Sequence, residues 1–178
     1  MPLRFLLTLL LATPIAAETR DRSIIRHAAP MLAATLTAAR DHYGPGAKPL
    51  PPHIRTQLAR YYTEADLAPV RYVVDQTGQT LPALINRAQL EAGETANHAV
   101  TIGPIIVFGT EPGPETSLYL WAHEVCHTLQ YRRLGMEGFA AAYLADAAGI
   151  EAVATRAGRA AIRAALDPNA TARLSHDC

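Results

Sequence analysis

His123-Glu124-Val125-Cys126-His127 is the stretch from which the rest of this chain is read. Two histidines four apart on an α-helix lie on one face, so both imidazoles can ligate a single ion. The glutamate beside the first histidine falls where its carboxylate reaches a water on that ion. This set suits zinc as Lewis acid with Glu124 as general base. The pattern needs a helix, and residues 118–133 predict one. Leu118, Leu120, Trp121, Val125 and Leu129 recur at helical spacing, with no Gly or Pro before Gly135. Pro112, Gly113 and Pro114 close the preceding loop, Thr116 or Ser117 can cap the helix, and Gly135 is a natural stop.

A catalytic zinc site takes three protein ligands and leaves the fourth position to water. Downstream candidates are Glu137, Asp146, Glu151, Asp167, His176 and Asp177. Helices are predicted over residues 139–147, ended by Gly149, and over 150–166. Glu151 is preferred because Ala147, Ala148, Ala154, Thr155 and Gly158 give its helix a small face that allows close approach. Asp146 is the runner-up and His176 the third choice. Gln130 lies seven residues after His123 and returns to the metal face, where it can meet a ligand, the third-ligand helix or substrate, or else is a surface amide. Cys126 points roughly 100° away from His127 and is not read as a ligand. Tyr131, Tyr143 and His98 are candidate donors to a tetrahedral intermediate. Arg132 and Arg133 read as a solvated helix end.

Upstream, residues 98–108 are β-branched and aromatic and read as two strands, or one bent strand, around Gly103-Pro104. Proline there places at least one piece at a sheet edge. Such an edge can pair with an extended substrate, or the hairpin can be purely structural. Residues 70–74 form a short strand, residues 54–67 a helix ended by Pro69, and residues 81–91 another. Residues 23–43 form a helix interrupted early by Pro30, with Ile24, Ile25, Met31, Leu32, Leu36 and Ala39 as its apolar stripe. The expected fold is α+β and helix-rich, zincin-like, with a small sheet packed on the metal-binding helix.

With 178 residues the chain suits one domain with a real core. Lys+Arg 16 balances Asp+Glu 16, so no global field favours nucleic acid. Arg4, the apolar run 5–11 and the small residues 12–17 read as a signal peptide cleaved after Ala17, too short for a stable membrane anchor. The expected organisation is a signal peptide over 1–17, an N-terminal helical extension over 18–48 that can cover the cleft, and the metallopeptidase domain over 49–178. Export to the periplasm or medium allows a Cys126–Cys178 disulfide, provided the last residue reaches the motif helix.

Pro51-Pro52-His53-Ile54, Val70-Arg71-Tyr72, Ala99-Val100-Thr101-Ile102-Gly103 with Ile105-Ile106-Val107-Phe108, and Trp121 to Gln130 occur in that order. Together they resemble the bacterial zinc-metallopeptidase domain of the extracellular contractile injection system core type. Its hallmark is a His-Glu-x-x-His-x-x-Gln helix after an Ala-x-Thr-x-Gly strand. The resemblance covers about residues 50–130, more loosely to Ala154. It implies His123 and His127 as ligands, Glu124 as base and a gluzincin-like downstream glutamate, matching Glu151. Members often sit beside toxin or secretion modules; this chain is short, and no obvious toxin module is read in it. The expected function is an exported zinc-dependent peptidase acting on a peptide or protein substrate through a zinc-bound water. The alternative is a non-catalytic, zinc-stabilised binding or scaffold module.

Overall fold

Strand residues here alternate between two cores. In a computed structural model describing residues 22–75, 99–110, 112, 118–167, 174 and 178, nine elements are defined. They are α1 (Arg22–Tyr43), a 3-10 turn (Gly44–Gly46), β1 (Lys48–Pro49), α2 (Pro52–Leu58), α3 (Glu64–Leu67), β2 (Arg71–Val74), β3 (Ala99–Ile102), β4 (Ile105–Phe108) and a long helical run, α4 (Leu118–Leu166). The signal segment 1–17, the helix over 81–91, His98, Thr116, Ser117, His176 and Asp177 lie outside the described residues.

The fold is α+β, helix-rich with one four-stranded mixed sheet ordered β1-β2-β4-β3. β2 and β4 are parallel, and the other pairs are antiparallel. β3 pairs with β4 through a two-residue turn that closes Ile102 on Ile105. Gly103 takes φ 60, the positive φ that tight hairpin turns give to glycine. Ala99, Ile106 and Phe108 face a core shared with α2 and with Trp121, Ala122 and Val125 of α4. Val100, Ile102, Ile105 and Val107 face a second core made by α1, Tyr131, Phe139 and Ala140. Burial on both faces explains why β4 reads as an unbroken apolar run, Ile-Ile-Val-Phe.

Several readings change. Residues 54–67 are two helices, because Thr63 and Asp66 form a reciprocal capping box that starts α3 afresh. α1 runs through Pro30, which is exposed, while Leu32, Ala33, Leu36 and Ala39 are buried around the next turns; Ile24 and Met31 face outward. This helix is built into the second core. Residues 48–49, read as a link, pair with β2 as an edge strand. Gly135, read as a stop, turns the chain within α4 instead, with φ 72 and ψ 173.

A second break in α4 falls at Asp146, φ −152 and ψ 74. The three limbs of α4 are therefore residues 118–134, 136–145 and 147–166. Asp146 is exposed, and its Oδ1 accepts the Gly149 N–H at 2.8 Å, capping the third limb. A Cβ on Gly149 would sit 2.1 Å from Asp146 Oδ2, so glycine there makes room for the cap. Gly149, read as a helix end, belongs to the start of the next limb. Against the first limb, the third buries Ala154, Ala157, Gly158, Ala161 and Ala164. Ala148 is exposed and lies off this face. A Cβ on Gly158 would meet the Tyr119 ring at 2.7 Å and its carbonyl oxygen at 2.9 Å, which measures how closely the limbs approach. Four buried alanine methyls contribute only about 3 kcal/mol. The Cys126–Cys178 disulfide, spanning 52 residues, contributes about 4 kcal/mol by loop-closure entropy.

Candidate metal centre

The first limb of α4 buries its whole second turn and more: residues 121–131 are all buried. The rings of His123 and His127, one turn apart, meet edge to face with centroids 4.8 Å apart. Their Nε2 atoms are 3.0 Å apart. Glu151, from the third limb, brings Oε2 to 3.3 Å from both. Ligands about 2.0–2.1 Å from a tetrahedral zinc stand roughly 3.3–3.4 Å from one another. The three donor atoms therefore already lie near the spacing of one face of such a site, and the group can hold a metal ion. Imidazole and carboxylate donors of this kind suit zinc and other first-row divalent metals.

The charges fit the same arrangement. Burial disfavours the His127 imidazolium, but the Glu151 hydrogen bond and charge outweigh it, with Glu124 and Gln130 adding, and raise its pKa to about 9. Burial pushes the Glu151 carboxyl up; hydrogen bonds from His123 and His127, then their charges, more than reverse this and hold it well below the usual carboxylate range. The His127 imidazolium and the Glu151 carboxylate thus stabilise each other's charge where a cation fits.

Gln130 is fully buried. Its Oε1 accepts from His127 Nδ1 at 2.8 Å, and its Nε2 donates to the Ile150 carbonyl at 3.2 Å. One side chain therefore orients a histidine and ties its helix to the backbone just before Glu151. Of the roles open to it from sequence, it meets both a ligand and the third-ligand limb.

Glu124 is buried beside this centre, and Thr101 Oγ1 of β3 donates to its Oε2 at 2.6 Å. Thr101 carries no role in the sequence reading, although it stands in the Ala-x-Thr-x-Gly strand. The available signal was its place on the strand face that pairs with Ile106 and looks toward α4. β3 is an edge strand of the sheet among the described residues.

Aromatic rings wall the histidines. Tyr119 lies 5.9 Å from His123, and Phe139 lies 6.4 Å from His127. Tyr131 and Tyr143 stack on Phe139, at 3.7 and 5.8 Å. Burial, then Tyr143, Glu124 and Glu151, raise the Tyr131 phenol above its ordinary range, so it keeps its proton. Tyr62 reaches the motif helix from the turn after α2, donating to the Ala122 carbonyl at 2.7 Å.

The remaining candidates are elsewhere. Asp146 is a helix cap, and Glu137 and Asp167 are exposed. Cys126 is fully buried and bonded to Cys178. Arg132 is not merely a solvated end: it pairs with buried Asp66 and donates to the Ala65 carbonyl at 3.1 Å, pinning α3 to α4.

Residues 49–135 match the family model described as the eCIS core domain, which supports that family for this segment. The match starts at Pro49 of β1 and takes in β2, β3, β4 and the first limb of α4, with His123, Glu124, His127 and Gln130; Glu151 lies beyond it. No curated protein and no solved structure matches the chain. Among the described residues, no helix is long and apolar enough to cross a membrane.

Proposed function

We propose that this chain is an exported zinc-dependent peptidase. The observation that carries the reading is the convergence of His123 Nε2, His127 Nε2 and Glu151 Oε2 within 3.3 Å, with buried Glu124 alongside. His123, His127 and Glu151 would hold the ion. When bound, zinc supplies Lewis acidity that polarises a carbonyl and acidifies a water to near neutrality. Glu124 accepts the proton of the attacking water on its carboxylate and returns it to the leaving amine. Thr101 holds Oε2 of that carboxylate, fixing the direction from which the proton is taken. β3, an edge strand among the described residues, offers an extended peptide a place to add as a further strand beside the base.

The test is direct. The purified chain carries about one zinc, and Glu124→Gln retains it while hydrolysis of a peptide library falls by about 10²–10⁴. A folded chain that takes up no metal, or a Glu124→Gln variant as active as the parent, sinks the reading. The eCIS core match favours a second reading, a zinc-stabilised scaffold serving an injection system. In that case zinc binds, no peptide is cut, and Glu124→Gln changes nothing.

A further inference from the structure

Cys126 lies inside the metal-binding stretch, yet the metal chemistry leaves it unused. Its sulfur is fully buried and bonded to Cys178, itself 3% exposed. The bond closes a covalent ring spanning 52 residues. His127, Gln130 and Glu151 all lie inside that ring. Within it, the Glu151 limb docks on the motif helix through alanines and Gly158, with no large apolar side chain among its buried residues. Leu174 adds one buried apolar group, and its N–H donates to the Tyr61 carbonyl at 2.9 Å. The constraint imposed by the disulfide is thus of the same order as the apolar hold that the alanines, Leu174 and the partly buried Ile150 and Val153 supply. Glu151 meets the histidines only if the limb is docked, because its Oε2 must come within 3.3 Å of both rings.

We propose that the Cys126–Cys178 disulfide is an assembly gate for the metal centre: it holds the Glu151 limb in place, so the chain captures zinc with full affinity only after oxidation. The gate rests on the reading of His123, His127 and Glu151 as the ligand set. In its formation the two thiols give up two protons and two electrons to a disulfide-bearing oxidant. The oxidant's S–S bond breaks to leave two thiols, and the Cys126–Cys178 bond forms. Among reducing thiols the chain stays a two-histidine, weak-binding form. Burial of both sulfurs then shields the finished bond from dithiols, so the gate acts once, during folding. A hydrolase held this way stays inert before export and is completed in an oxidising compartment.

The experiment compares the oxidised full chain with Cys178→Ala and with Cys126→Ala/Cys178→Ala, titrating zinc against a chromophoric chelator. Zinc affinity falls at least tenfold in both variants, to the level of Glu151→Ala. Adding Glu151→Ala to Cys178→Ala lowers it no further. Equal affinity in the oxidised chain and Cys178→Ala, or fully additive losses, overturns the gate alone. An oxidised chain that binds no zinc overturns the metal reading and the gate together. Hydrogen exchange of the metal-free chains supplies an independent readout. Amides over 150–166 exchange faster in Cys178→Ala, while those over 99–108 keep their protection. Unchanged protection over 150–166, or protection lost equally in the sheet, also overturns it.

Discussion

Gln130 and Thr101 show how two uncharged side chains set up a charged site. An amide suits position 130 because it must accept from His127 and donate to Ile150 at once. Gln130→Leu leaves the His127 Nδ1–H and the Ile150 carbonyl without that partner in a buried place, at a cost of about 1–3 kcal/mol each. Zinc affinity then falls about 10–100-fold, as read by chelator competition. Unaltered affinity would remove Gln130 from the centre. Thr101→Val unties Glu124 from β3. We expect kcat to fall by about tenfold with KM and zinc content unchanged, and Thr101→Ser to restore it. A matching loss in Thr101→Ser would show that the methyl group, not the hydroxyl, matters.

Among the elements, the third limb of α4 is the one whose placement the site depends on. Its closeness to the first limb is set at Gly158, where Tyr119 leaves no room for a Cβ. Gly158→Ala forces Tyr119 or the limb to shift, so denaturant unfolding should show a loss of about 1–3 kcal/mol and zinc affinity should drop with it. Elsewhere, alanine in a helix is favoured over glycine by roughly 1 kcal/mol, so a stabilised variant would contradict the close approach. The capping box at Thr63 and Asp66 and the Asp146 cap both set helix ends. The Thr63–Asp66 box divided a run, 54–67, that apolar periodicity alone had joined, whereas the Asp146 cap shifted a boundary already drawn between 139–147 and 150–166. Thr63-Glu64-Ala65-Asp66 was legible as such a signal; Asp146 was weighed as a ligand, because an aspartate near a metal motif satisfies either description.

For the whole molecule, the His127–Glu151 pair couples charge to stability. In the metal-free chain the raised pKa of His127 gives stability fully present below the unfolded value of 6.5 and lost as pH rises through about 9. The depressed pKa of Glu151 gives stability present above its unfolded value of 4.5 and lost as pH falls through its lower folded value. The pair therefore stabilises the metal-free chain most between about pH 4.5 and 6.5. Calorimetric Tm of the chelator-treated chain should decline from pH 6.5 to 9 through this pair, and Glu151→Gln should flatten the decline. Zinc must displace the His127 proton, so the Tm increment on adding zinc grows over the same interval. An increment independent of pH would argue against His127 as a ligand.

By itself the sequence determined the residues that converge and the class of the fold. His123, Glu124 and His127 follow from a four-residue spacing on one helix, a local geometry that needs no tertiary contact. The hairpin about Gly103-Pro104 and the α+β character were equally local, carried by β-branched runs and a turn residue. Glu151 was legible only through the small residues around it, which signal close approach without naming the partner. What the tertiary structure alone decided is long-range: that Thr101 reaches Glu124 across 23 residues, that α1 closes one face of the sheet, and that Cys178 returns to Cys126. Those contacts depend on how the limbs of α4 turn at Gly135 and Asp146, and a backbone reversal has no periodicity from which to read its direction.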